Sequence, residues 1–123
     1  MSVARGEGDL TGSDFADDLR GGSGNDVLSG GAGNDSLTGG GSADTFVFRA
    51  GEANGDTVTD FAGNGTSAGD QLQFLGYGTA AQGASFIQID STHWQINSAD
   101  SLVHDVLTFS NAAAIHSSDF LFV

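Results

Sequence analysis

Large apolar residues return every nine positions through the first part of the chain: Leu10, Leu19, Leu28, Leu37 and Phe46 stand in unbroken register. A period of nine is neither the 3.6 of an amphipathic helix nor the alternation of a half-buried strand, so it predicts an internal repeat. Two further series keep the same phase. Asp17, Asp26, Asp35 and Asp44 each stand two residues before an apolar partner, and Gly12, Gly21, Gly30 and Gly39 open the units. The units read GSDFADDLR, GGSGNDVLS, GGAGNDSLT and GGGSADTFV. The middle two fit G-G-x-G-x-D-x-U-x at every specified position, U being a large apolar residue. In the outer two, Ser13, Phe15 and Ser42 occupy glycine positions.

After Phe48 the period stops and another pattern begins. ADTFVF, DTVTDF at 56–61 and DQLQF at 70–74 are short alternating segments, divided by the turn signals Asn54-Gly55 and Asn64-Gly65. SFIQID and HWQIN predict a hairpin, HDVLTF at 104–109 predicts a strand, and FLFV closes the chain. The stretch from Phe46 to Val123 carries nearly all the aromatic residues, and Tyr77 and Trp94 among them read as core packing. A stack of repeats exposes strand edges and apolar surface at its end, so these strands are expected to cover it.

Composition narrows the chemistry. At 123 residues the chain makes one small domain or two half-sized ones. Sixteen acidic residues stand against Arg5, Arg20 and Arg49 with no lysine, for a net charge of -13. Such a surface lacks the basic stripe that nucleic acid requires, and it repels anionic lipid. Cations are its natural partners. Without cysteine there is no disulfide framework and no thiolate metal site. The opening MSVARGEGDLTG has no apolar core of the signal-peptide kind, and no segment is long enough to span a bilayer. His93, His104 and His116, spaced 11 and 12 apart, fit no helical zinc motif, and no G-x-S-x-G nucleophile motif is present, so the chain reads as non-catalytic.

Glycine permits backbone angles that turn successive carbonyls toward one point, and it leaves room for a neighbouring turn. Calcium takes six to eight hard oxygen donors and accepts both carboxylates and carbonyls. Ordering a nine-residue unit costs several times what burying its single leucine returns, and stacking brings carboxylates together. The repeat is therefore expected to be disordered without metal and to fold as calcium binds, at the roughly 10⁻⁴ to 10⁻³ M typical of extracellular modules.

These units resemble the calcium-binding β-roll of the repeats-in-toxin (RTX, hemolysin-type) family. The resemblance implies an all-β fold: a short parallel β-roll of nine-residue calcium-binding repeats over residues 1–48, closed by a C-terminal β cap over 49–123. In that family a six-residue turn precedes a three-residue strand, two units make a coil, and units n and n+2 share an ion. Several calcium ions are implied, with Asp17 paired to Asp35 and Asp26 to Asp44. Carbonyls would come from Gly21, Ser23, Gly30 and Ala32 on one side of an ion, and from Gly31, Gly33, Gly40 and Ser42 on the other. The segment after Phe48 is similar to the part that closes the roll in serralysin-type proteases. By that likeness Asp56 and Asp70 are further calcium ligands; the alternative is that they are turn residues exposed to solvent. The ending SSDFLFV resembles the uncleaved signal for type I secretion, and the stretch from THWQIN onward is similar to the calcium-binding modules of mannuronan epimerases. The implied function is a module that folds on calcium and supports type I secretion and extracellular folding of an attached passenger in a bacterium. The alternative is a calcium-dependent module that binds a polysaccharide or another surface.

Overall fold

The computed structural model describes residues 2–5, 9–12, 15–22, 24–40, 43–61, 70–111, 115 and 119–122. Its first eight strands alternate between two sheets. β1 (Ser2–Arg5), β3 (Asp17–Arg20), β5 (Ser36–Thr38) and β7 (Thr57–Val58) pair in parallel in one. β2 (Asp9–Thr11), β4 (Val27–Ser29), β6 (Thr45–Arg49) and β8 (Gln71–Leu75) do so in the other. The chain thus winds as a parallel β-roll with two strands to a coil. Turns leading into β3, β5 and β7 line one edge, and those leading into β4, β6 and β8 line the opposite edge.

Register explains the apolar period. Leu19 lies beside Leu37 and Leu37 beside Val58 in the first sheet, while Leu10, Leu28, Phe46 and Leu72 are successive neighbours in the second. Each repeat therefore contributes one inward side chain to a ladder between the sheets, and Leu19, Leu28, Leu37 and Phe46 are fully buried. Strand residues between the inward positions face outward, as the two-residue strand period demands.

The roll runs on past the end of the nine-residue period. β11 (His104–Phe109) lies parallel on β7, setting Phe109 beside Val58, and β12 (Phe120–Phe122) lies parallel on β8, setting Phe120 beside Leu72. The hairpin of β9 (Ser85–Gln88) and β10 (His93–Asn97) extends the first sheet through antiparallel pairing of β10 with β11. At this end aromatic rings fill the interior. Phe74 contacts Phe48, Tyr77, Phe86, Phe120 and Phe122 at centroid distances from 4.8 to 6.2 Å. Among the described residues, no helix is long and apolar enough to cross a membrane.

Candidate metal centre

An aspartate two positions before an inward leucine shares its face, so the repeat aspartates also point inward, at the mouth of each turn. The roll stacks them in two columns. On one edge the Asp17 N–H donates to Asp35 Oδ1 and the Asp35 N–H to Asp56 Oδ1, both at 2.9 Å. On the other, Asp26 N–H donates to Asp44 Oδ1 and Asp44 N–H to Asp70 Oδ1, again at 2.9 Å. All six are at most 3 % exposed. Asp56 and Asp70 are therefore not solvent-exposed turn residues, and they are not neighbours of one another. Each extends a different column, after intervals of 21 and 26 residues in place of 18.

The glycine that opens each unit makes room for that unit's carboxylate. A Cβ on Gly21, Gly30 or Gly39 would collide with Oδ2 of Asp26, Asp35 or Asp44, five residues on. Two later glycines serve the approach between turns: Gly33 (φ +85°) sits against the backbone of Phe15 and Ala16, and Gly40 (φ +90°) against the Gly22 carbonyl. A side chain at either position would both strain the backbone and separate the coils.

Charge is concentrated where water is scarce. Burial, with the nearby charges of Asp17 and Glu52, pushes Asp35 up to about 6. Burial, with Asp70 and Asp26 beside it, pushes Asp44 up to about 7. Asp56, buried and facing Asp35, Asp105 and Glu52, is pushed up to about 8. Oδ2 of Asp35 and Oδ2 of Asp44 are buried and, among the described residues, accept no hydrogen bond. Buried carboxylate oxygens without donors, beside glycine carbonyls, form a donor set that suits a hard divalent cation and no soft one. Among the described residues no three His, Cys, Asp or Glu side chains converge as a metal cluster.

The carbonyl donors expected from the sequence sort differently in the roll. Each strand carries the chain to the opposite edge, so Gly21 and Gly40 belong to the column of Asp26 and Asp44. Gly30, Gly31, Ala32 and Gly33 belong to that of Asp17 and Asp35. The carbonyl of Gly39 faces Gly21 and that of Gly30 faces Gly12 across the stacked turns. Ser23 and Ser42 lie outside the described residues.

Other polar groups at the turns carry less signal in the sequence. Asn25 Oδ1 accepts from the Ala43 N–H at 3.1 Å, and Asn54 Oδ1 from the Val106 N–H at 2.9 Å, tying each turn to the next coil. Asp105, 4 % exposed, accepts from the Tyr77 hydroxyl at 2.7 Å and the Gly51 N–H at 2.9 Å. Burial and the adjacent Asp105 push the Tyr77 phenol upward, so it remains a donor. The one hint of Asp105 is the triplet Asp105-Val106-Leu107, which repeats the order of aspartate, spacer and apolar residue. His93 pairs with Asp90 and His104 with Asn97 at the surface, while His116 lies outside the described residues.

Comparison with family models matches residues 11–46 to the RTX calcium-binding nonapeptide repeat, in 4 copies. The chain carries RTX calcium-binding repeats. Two solved structures resemble almost all of it, both subunits of the mannuronan C5-epimerase of Azotobacter vinelandii. The AlgE6R3 subunit is 26% identical, with a TM-score of 0.53 over 96% of this chain and 79% of that one. The AlgE6R2 subunit is 28% identical, with a TM-score of 0.53 over 98% and 91%. No curated protein matches the sequence. Residues 11–46 thus carry the RTX repeats within a parallel β-roll, and the likeness to the epimerase subunits extends well beyond them.

Proposed function

We propose that the module folds on calcium and serves, outside a bacterial cell, as the calcium-dependent part of a larger protein exported by type I secretion. The observation that carries this reading is the pair of buried aspartate columns, whose members repel one another unless a cation stands among them. Calcium supplies that positive charge and vacant coordination positions for hard oxygens. On one edge Asp17 and Asp35, with the carbonyls of Gly30, Gly31, Ala32 and Gly33, would hold it. On the other, Asp26 and Asp44 would do so with the carbonyls of Gly21 and Gly40. Asp56 and Asp70 extend the two columns by one further position each. Because metal affinity then becomes folding free energy, a calcium-poor cytoplasm keeps the repeats unfolded for export, and millimolar calcium outside folds them.

Circular dichroism in excess chelator is expected to be coil-like over the repeats and to gain β signal with millimolar calcium. A chain that is fully folded in chelator overturns the proposal. Calorimetric calcium titration of Asp26→Ala and Asp35→Ala tests the ligands, since unchanged uptake in both refutes the assignment.

The likeness to two mannuronan C5-epimerase subunits favours a second reading, in which the calcium-loaded module binds a polysaccharide. The columns bury much of the acidity inside the turns. Outer strand positions such as Thr38, Thr57, Gln95 and Asn97 are uncharged, so the sheet faces are less repulsive to a polyanion than the net charge suggests. Titrating alginate against the calcium-loaded protein distinguishes the readings: no heat and no shift of resonances leaves the export module alone.

A further inference from the structure

We propose that Asp60 is a positioning residue for calcium on the edge that carries Asp26 and Asp44; the inference rests on the calcium reading above. Where the roll is regular, the N–H that opens a unit donates to a main-chain carbonyl one coil on: Gly12 to Ser29 at 2.8 Å, and Gly21 to Thr38 at 2.9 Å. At Gly39 the acceptor is a side chain. Asp60 Oδ1 accepts from the Gly39 N–H at 2.9 Å and Oδ2 accepts from the Gly40 N–H at 2.7 Å. One carboxylate thus spans two consecutive amides of a turn.

Two contacts fix where Asp60 stands. Before it, Thr59 continues the pairing with β5, its N–H donating to the Leu37 carbonyl at 3.0 Å and its hydroxyl lying 2.5 Å from that of Thr38. After it, Phe61 is buried against Phe46 and Phe109, at centroid distances of 6.3 and 5.7 Å. A β-sheet hydrogen bond on one side and an aromatic anchor on the other leave the carboxylate facing the turn before β6.

The consequence for the ion follows from peptide planarity. The peptide joining Gly39 and Gly40 is trans, so its carbonyl points opposite to its N–H. With that N–H held by Asp60, the Gly39 carbonyl is turned toward Gly21, into the gap between the stacked turns of Asp26 and Asp44. This is the repeat that carries Ser42 in place of a motif glycine. Here an anionic acceptor takes the place that a neighbouring strand's carbonyl takes at Gly12 and Gly21, and it holds the next amide of the turn as well. Hydrogen bonds to a charged acceptor are about twice as strong as neutral ones, which suits a turn at the limit of the repeat.

The test is a calcium titration of the full chain followed by backbone amide resonances, comparing wild type with Asp60→Asn and Asp60→Ala. In Asp60→Ala, the amides of Asp26, Gly39 and Asp44 are expected to titrate at about tenfold higher calcium, while those of Asp17 and Asp35 move less than about twofold. Asp60→Asn, which keeps one acceptor oxygen and cannot lose the fold through size, should fall between the two. Equal shifts on both edges, or none on either, overturn the role given to Asp60. Absence of any calcium response in the wild type is a separate result that removes the calcium reading itself.

Discussion

The two ends of the roll are built on the same winding and held by opposite means. Near the repeats, one leucine per unit lies between the sheets and the turns are packed with carboxylates that repel each other. Toward the C-terminus, Phe74 and its aromatic neighbours fill the interior. The buried Asp105 is there satisfied by a tyrosine hydroxyl and a main-chain amide. One end leaves its charge to be answered by an ion, and the other answers it with protein. The same backbone architecture can therefore be made conditional at one end and unconditional at the other by changing what faces the turns.

Four experiments sharpen or break that contrast. The largest effect is expected from Phe74→Ala, which removes the centre of the aromatic cluster and should cost about 3 to 5 kcal/mol. Thermal melts should show the loss at saturating calcium, and a melt unchanged there would mean that the ion, not the aromatic core, holds both ends. Next comes Asp35→Asn. It keeps an oxygen for the Asp17 N–H and removes only charge, so calcium affinity should fall about tenfold while the residual β signal in chelator drops little or rises. An Asp35→Asn protein that binds calcium as wild type does would show that the columns are structural hydrogen bonds and no more.

Tyr77→Phe leaves Asp105 buried with one donor fewer and should cost about 1 to 3 kcal/mol without moving the calcium midpoint of Asp26 or Asp44 amides. A large shift of that midpoint would couple the two ends. The last experiment concerns pH. Asp35, Asp44 and Asp56 have folded values of about 6, 7 and 8, above the roughly 3.9 of an unfolded aspartate. Their protonation therefore stabilises the cation-free roll fully below about pH 4, and that contribution is lost as pH rises through 6 to 8. In chelator the β signal should be greater at pH 5 than at pH 8, whereas calcium-loaded protein should show the reverse preference because protons compete for the same oxygens. Identical chelator spectra at both pH values would contradict the burial of these carboxylates.

Much of this could be read in the residues, and the limits have a physical origin. The phase shared by Leu19, Leu28, Leu37 and their aspartates is legible because each unit makes the same turn, so spacing alone encodes stacking. The further coils built on Val58 and Leu72 escape a search for a fixed period, because their turns are longer. What survives there is the local order of aspartate, spacer and apolar residue, in Asp56-Thr57-Val58 and Asp70-Gln71-Leu72. Asp60 leaves no trace in the sequence, and Asp105 only its triplet, for a different reason. Their partners are main-chain amides 21 and 54 residues away, and an N–H leaves no mark in an amino-acid sequence. The two edges also had to be seen to be sorted, since consecutive units look adjacent in a line and lie on opposite sides of the roll.

That short triplet has a bearing on how such a chain can change over generations. Register is measured by one acidic and one apolar residue at the entry to a strand, and nothing in the measurement counts the residues before it. Insertions between coils are then nearly free of cost to the stack, provided that the triplet follows them. The connections before Asp56 and Asp70 are two such lengthenings already accepted, and the same places are natural ports for grafting a loop of foreign sequence.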